Sequence, residues 1–223
     1  MTRTALINRS LPNYTRGEEL FNMISHIIGG VFGVFAIVIG VIASAKTGDP
    51  WKIVSVSIYG TTLVIMYTIS SVYHGLRHET AKKVMQVIDH CDIYFLIAGT
   101  YTPILLCSIR PHNPGIAWTI FGIEWGLTAL AATLNAIDLK KYSKLSMTCY
   151  IGMGWCIVAV LKPTIEYITM SGFWWLLLGG VAYTVGAVLY GIGKKVHYMH
   201  SVFHIFVVIG SVLQYVAILK YVV

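Results

Sequence analysis

The sequence predicts an all-α integral membrane protein, and three observations carry that prediction. Of its 223 residues, 57% are hydrophobic and only 11% are charged, against about 25% charged residues in a typical soluble domain. The mean hydropathy is +0.73, and 16 basic and 9 acidic side chains are too few to cover a soluble protein of this size. The apolar residues occur in long runs rather than short alternating ones, which favours spanning helices.

The composition also excludes several classes of protein. Its apolar content is too high for a disordered chain, and its four cysteines lack C-x-x-C spacing, so we expect reduced, packed thiols. The net charge of +7 comes without a basic stripe or a base-stacking motif, so it indicates basic loops rather than nucleic-acid binding. Membrane lipids are therefore the expected partners.

Seven spans fit the length of the chain, because one spanning helix takes about 20 residues. The chain is predicted to have an N-terminal segment at 1–19 and a seven-helix transmembrane domain at 20–223. The third span opens with Asp89 and Asp92, and the fifth is short and closed by Pro163. The predicted spans are 20–43, 53–75, 87–108, 115–137, 145–162, 172–192 and 198–221.

The distribution of basic residues predicts the orientation, since cytoplasmic loops are enriched in Lys and Arg. With the N-terminus in the cytoplasm, 11 of the 16 basic residues lie on that side. These are Arg3, Arg9, Arg16, Arg77, Lys82, Lys83, Lys140, Lys141, Lys144, Lys194 and Lys195. The other side keeps Lys46, Lys52, Arg110, Lys162 and Lys220. A cytoplasmic N-terminus and an extracellular C-terminus are therefore predicted.

Polar and ionisable residues within the spans fall at one depth of the membrane. With alternating spans, four groups from the first, second, third and seventh spans all lie in the cytoplasmic half. They are Glu19, Asn22, Ser25 and His26; Ser70 and His74; Asp89 and Asp92; and His197, His200 and His204. Because such residues are costly in a bilayer, their clustering indicates a functional site.

The spacing of the histidines predicts a metal site. His200 and His204 are four residues apart, so both rings project from one face of a helix, and His74 adds a third imidazole. Three neutral histidines leave a fourth tetrahedral position for water, as in catalytic zinc sites, where the water pKa falls to about 7. Asp89 or Asp92 then serves as the carboxylate that accepts the proton.

Simpler interpretations stay open for some of these residues. An isolated H-x-x-x-H pair is a weak signal in a chain with eight histidines. One of the two aspartates is expected to be only a helix cap or a partner of the helix dipole. Glu124, inside the fourth span, is interpreted as structural, with a second polar centre as the alternative.

These residues together resemble the haemolysin III branch of the progestin and adipoQ receptor family. The resemblance lies in Ser70-x-x-x-His74, then Asp89, then His200-x-x-x-His204. It extends to the run from Glu19 through Asn22 and His26 to Gly29, and to the segment 89–103. The similarity covers nearly the whole chain.

The resemblance implies seven helices with the N-terminus inside and a Zn²⁺ ion in the cytoplasmic half. His74, His200 and His204 correspond to the zinc ligands, Asp89 to an aspartate that contacts zinc through water, and Ser70 to a serine beside the site. The supporting set is Glu19, Asn22, His26, Asp92 and His197. The wider superfamily includes alkaline ceramidases, and its bacterial members are associated with membrane homeostasis.

Three functions therefore follow as hypotheses for a multi-pass protein of the plasma membrane. The first is a zinc-dependent hydrolase of lipid amides or esters, in which Asp89 is the base and Ser70 polarises the carbonyl. The second is a non-enzymatic membrane sensor or regulator with structural zinc. The third, a cytolytic haemolysin-like protein, is disfavoured because the extracellular half of the spans offers no continuous polar path. A transporter is disfavoured because paired broken helices and inverted repeats are not evident.

Overall fold

The structure, a computed structural model, describes residues 4–223, and that part of the chain is helical without a β-strand. Short 3-10 helices occur at Leu6–Asn8 and Cys156–Val160, and a π-helical turn at Ile104–Ile109 continues the third helix. The α-helices are α1 (Arg16–Lys46), α2 (Pro50–Gly75), α3 (Glu79–Pro103), α4 (Pro114–Ile137), α5 (Ser143–Gly154), α6 (Leu161–Gly193) and α7 (Met199–Tyr221).

Six stretches within residues 4–223 are long and apolar enough to cross a membrane. This confirms the all-α membrane class but gives one stretch fewer than the seven predicted. The fifth and sixth predicted spans both fall within the 51-residue stretch Ser143–Gly193. Thr169, at φ 68° and ψ 161°, interrupts that stretch inside α6.

Helices α1 to α4 begin after residues whose side chains satisfy free backbone N–H groups. Thr15 and Glu18 form a reciprocal capping box at the start of α1. Asp49 and Asn113 cap α2 and α4, and each is followed by a proline at the first helical position. These signals place the turns between the apolar runs.

Helices α1 and α2 pack closely along a row of small residues. An added Cβ at Gly29 would clash with the Tyr67 ring, and one at Gly40 would lie 2.5 Å from Val56. From α2, Gly60 meets Ile37 in the same way. Close approach of backbones over glycine is a common way for helices to associate in membranes, where apolar burial alone gives no net gain.

Helix α3 is the most enclosed of the candidate spans, with 83% of its most apolar window buried. It begins at Glu79, eight residues before the predicted third span, because the polar segment ahead of that span is also helical. Asp89 and Asp92 therefore lie well inside α3. The interpretation of one of them as a helix cap is wrong, because His78 caps this helix.

The start of α1, the end of α2 and the start of α7 meet at one end of the bundle, which we call the histidine end. The N-terminal segment docks there, since Thr4 N–H donates to Asp138 and Arg9 donates to the Ile137 carbonyl. The hydrogen bonds from Thr4 hold the pKa of Asp138 well below its usual range. Arg3, counted in the charge distribution, lies outside the described residues.

The opposite end is held by different contacts. Lys52 donates to the carbonyl of Val223, and the Arg110 guanidinium lies over the Trp51 ring. His112 stacks on Tyr167 with ring centroids 4.2 Å apart. These contacts join the start of α2 to the end of α7 and the start of α4 to the first part of α6.

Candidate metal centre

Three buried histidines converge at the histidine end. His74 lies at the last turn of α2, and His200 and His204 lie on the first turns of α7. Their exposed fractions are 3%, 7% and 1%, and one ring nitrogen from each lies within 4.8 Å of the others. We call this group the histidine trio. The helical spacing predicted the pair on α7, and the fold adds the third ring.

The distance between the two rings of the trio on α7 is close to that between two ligands of one small cation. Nε2 of His200 and Nε2 of His204 are 3.1 Å apart. Two nitrogens bound tetrahedrally to one zinc ion at about 2.0–2.1 Å lie about 3.3–3.4 Å from each other. Nε2 of His74 is buried without a hydrogen-bond partner in the described chain. A buried unpaired acceptor is costly, and a cation there would satisfy it.

Glu19 sets the orientation of the His74 ring. Its Oε2 atom lies 2.7 Å from Nδ1 of His74. A carboxylate only accepts, so Nδ1 carries the hydrogen and Nε2 keeps its lone pair for a metal. The amide of Asn22 is 3.5 Å from the same nitrogen, at the limit of a hydrogen bond. Glu19 is therefore the partner that determines the tautomer.

Lys82 holds Glu19 in place. Its Nζ lies 2.8 Å from Oε1 of Glu19 and donates to the carbonyls of Tyr73, His74 and Leu76. It thereby satisfies carbonyls left free at the end of α2. The sequence analysis treated Lys82 as a loop charge. The structure corrects this. The polar start of α3 is helical, and it places the Lys82 ammonium against the carbonyls at the end of α2.

His26 packs against the trio but is not one of its three members. Its ring is buried, lies 3.8 Å from the His204 ring between centroids, and meets Tyr67 edge-on at 5.0 Å. Neither ring nitrogen has a hydrogen-bond partner among the described residues. The predicted supporting residues Glu19, Asn22 and His26 thus all lie beside the trio, on one face of α1.

Ser70 lies on α2 and the two aspartates lie on α3. Ser70 is buried one turn before His74 on α2. Asp92 is buried, and neither of its carboxylate oxygens has a hydrogen-bond partner in the described chain. Asp89 is partly buried and lies 3.7 Å from His90. Neither aspartate belongs to the group of three ligand atoms.

Tyr14 is a site residue that sequence reasoning missed. Its ring stacks on His200 at 4.7 Å between centroids and 20° between planes. Burial raises the pKa of Tyr14, and the negative charges of neighbouring groups, among them Glu19 and Asp89, raise it further. No spacing rule links residue 14 to residue 200, so the sequence held no signal for the contact.

His197 lies outside the trio. Its side chain is 68% exposed and its Nδ1 is 3.1 Å from Oε2 of Glu18. The other oxygen of Glu18 accepts from the N–H of Tyr198, whose φ of 63° is left-handed. Glu18 thus stabilises the left-handed turn at Tyr198, which precedes the helix that carries His200 and His204.

Glu124 takes no part in this centre. It is fully buried on α4, with the Cys156 thiol beside it at the break between α5 and the following 3-10 helix. Tyr101 binds the same break, donating to the Gly154 carbonyl and accepting from the Ile157 N–H. Glu124, Tyr101 and Cys156 thus form a polar cluster at the junction of α5 and the 3-10 helix, which is separate from the break at Thr169.

Comparison with known proteins now identifies the family. A profile of the family described as "Haemolysin-III related" matches residues 14–215. The chain belongs to the haemolysin-III related family. The match covers Tyr14, the trio and all residues placed around it, and the resemblance inferred from the sequence is thereby confirmed.

Curated relatives of the chain come from bacteria and animals. It is 36% identical over 205 residues to Hemolysin-3 of Bacillus cereus, covering 92% of each chain. It is also 36% identical over 208 residues to the Hemolysin-3 homolog of Bacillus subtilis (strain 168), covering 93% of this chain and 96% of the relative. The human monocyte to macrophage differentiation factor is 27% identical over 202 residues, covering 84% and 80%. The chain is therefore a multi-pass membrane protein of this family.

Proposed function

We propose that this protein is a zinc-dependent hydrolase of lipid amides or esters that serves membrane lipid homeostasis. The observation that carries the proposal is the buried trio, whose nitrogens lie within 4.8 Å of one another while Nε2 of His74 has no partner in the described chain. An all-imidazole donor set suits Zn²⁺ among the available metals. If His74, His200 and His204 held the ion, it would supply the chemistry of a catalytic zinc site, which binds water or substrate beside three protein ligands.

The residues around the trio have separate roles in the proposed reaction. Zinc, when bound, lowers the pKa of water to about 7 and so supplies a nucleophile at neutral pH. Glu19 orients His74, and Tyr14 covers the trio on one side by stacking on His200. Asp89 accepts a proton at its carboxylate and returns it to the leaving group. The Ser70 hydroxyl, one turn from His74, orients the lipid carbonyl.

We further propose seven crossings, with the N-terminus in the cytoplasm and residues 20–223 as the transmembrane domain of a plasma-membrane protein. Contacts along Ser143–Gly193 support two crossings within that stretch. Ser146 near its start bonds Asn135 at the end of α4, whereas Tyr167 stacks on His112 at the opposite end. The chain then returns, since an added Cβ at Gly193 would meet the backbone of His200.

Metal analysis tests the site itself. Purified wild type is expected to carry about one equivalent of zinc, and His74→Ala, His200→Ala and His204→Ala are expected to lose most of it, because each removes one of three ligands. His112→Ala, at an exposed histidine of the opposite end, is the matched control. Equal zinc content in all the proteins would overturn the assignment.

A lipid panel tests the chemistry. The zinc-loaded protein, reconstituted in vesicles that contain ceramide or phospholipid, is expected to release fatty acid. Asp89→Asn is expected to lower that release by about 100-fold or more while keeping its zinc. If zinc-loaded wild type releases no fatty acid from any lipid, the hydrolase is wrong. The alternative, a lipid sensor in which zinc ties α2 to α7, then stands.

A further inference from the structure

A cavity of about 620 Å³ opens between α1 and α2 beside the metal centre. We call it the α1–α2 groove and define it by residues 23–34 of α1 and 64–76 of α2 that line it. Its volume lies within the range of small-molecule sites, about 300–1,000 Å³. The residues that shape it include Met23, Gly30 and Val34 from α1, and Val64, Tyr67 and Gly75 from α2.

The groove faces the surroundings of the bundle rather than its core. Its rim residues Val31, Val34 and Val72 are 67%, 53% and 44% exposed. They lie on two candidate membrane spans. An opening of this kind in a bilayer is covered by lipid hydrocarbon, and the mostly apolar lining selects for an apolar occupant.

The length of the groove matches one leaflet. Met23 and Val34 are eleven residues apart on a helix, which corresponds to about 16 Å. The hydrocarbon core of a bilayer is about 30 Å thick, so one leaflet contributes about 15 Å. A single acyl chain of the leaflet at the histidine end therefore fits along the groove with its methyl end near Val34.

The other end of the groove lies level with the metal centre. Gly75, which lines the groove, directly follows His74 in α2. His26 also lines the groove, and its ring packs on His204 at 3.8 Å between centroids. The carbonyl end of an acyl chain in the groove would thus lie at the depth of the trio.

Glycine at position 30 makes room for the chain. An added Cβ there would lie 3.7 Å from the Cβ of Tyr67, an ordinary van der Waals contact, so position 30 has room for a side chain that would extend into the groove. Its neighbour Gly29 differs, because its added Cβ would clash with the Tyr67 ring. Gly29 thus closes the helix contact and Gly30 leaves the groove open.

We propose that the α1–α2 groove binds one acyl chain of a membrane lipid and presents the ester or amide of that lipid to the metal centre. The acyl-chain site extends the proposed function by naming how the substrate is held. The groove and its occupant are nevertheless testable without any turnover.

Photo-crosslinking tests the occupant. The protein is reconstituted in phosphatidylethanolamine and phosphatidylglycerol vesicles with a phosphatidylcholine that carries a diazirine in its acyl chain. We expect label concentrated on residues 23–34 and 64–76. Gly30→Phe and Val34→Trp fill the groove from its middle and its deep end, and each is expected to reduce this label to the level of other lipid-facing segments. Gly122→Phe, at an exposed glycine of α4 with open space around it, is expected to leave it unchanged.

The outcomes separate the two proposals. Uniform labelling of all lipid-facing segments, unaltered in both groove variants, overturns the acyl-chain site even if wild type hydrolyses lipids. Concentrated labelling in a protein that holds no zinc and releases no fatty acid supports the site and overturns the hydrolase. If both proposals hold, Gly30→Phe keeps its zinc and loses fatty-acid release.

Discussion

At the scale of single residues, the centre depends on which atom of His74 carries its hydrogen. The contact of 2.7 Å with Glu19 assigns that hydrogen to Nδ1, and Lys82 fixes Glu19 in turn. The sequence analysis placed Glu19 at the same end of the bundle as His74, because the end follows from position along a span. Several polar groups lie near Glu19, and which of them it contacts depends on how α1 is rotated against α2. Only the structure gives that rotation.

Glu19→Gln is expected to weaken zinc binding by about 10–100-fold, as loss of a carboxylate behind a ligating histidine does. The amide oxygen still accepts from Nδ1, but without a charge it makes the imidazole a poorer ligand. Chelator competition on purified protein measures the affinity. Glu79→Gln is the control, because Glu79 is an exposed acid that pairs with Lys83. Equal affinities for both variants would contradict the assigned role of Glu19.

At the scale of helices, α1 and α2 show how register decides function. The buried face of α1 carries Glu18, Asn22 and His26, followed by small residues further along. The same register that seats the glycines against α2 places Glu19 and Asn22 beside His74. Hydrophobic periodicity is a weak indicator of the buried face in a helix that is apolar on every side. The buried face of α1 is therefore better indicated by its polar residues.

Gly29→Ala is expected to lower the free energy of unfolding by about 1–3 kcal/mol, the cost of overpacking a tight contact. Tyr67 cannot easily yield, because its hydroxyl donates to Ser211 at 2.7 Å. Gly30→Ala gains the same helix propensity without the clash and is expected to be as stable as wild type or more so. Thermal unfolding in detergent measures both, and equal destabilisation of the two variants would contradict the packing described.

At the scale of the whole molecule, the number of crossings determines where the C-terminus lies. With seven crossings, green fluorescent protein inserted in the loop 138–142 between α4 and α5 is expected to fluoresce in a bacterial host. Alkaline phosphatase fused after Val223 is expected to be active, because it then lies outside. An inactive phosphatase fusion and a fluorescent C-terminal fusion would instead indicate six crossings.

The sequence by itself determined the membrane class, the common end of the polar residues from the first, second and seventh predicted spans, and the pair on α7. These properties follow from composition and from spacing along one helix, which are local. It did not determine the extent of α3, the interruption at Thr169, or the contacts of Tyr14 and Lys82. Those depend on how separate helices rotate and approach each other. Such contacts join residues far apart in the chain, so only the tertiary structure decided them.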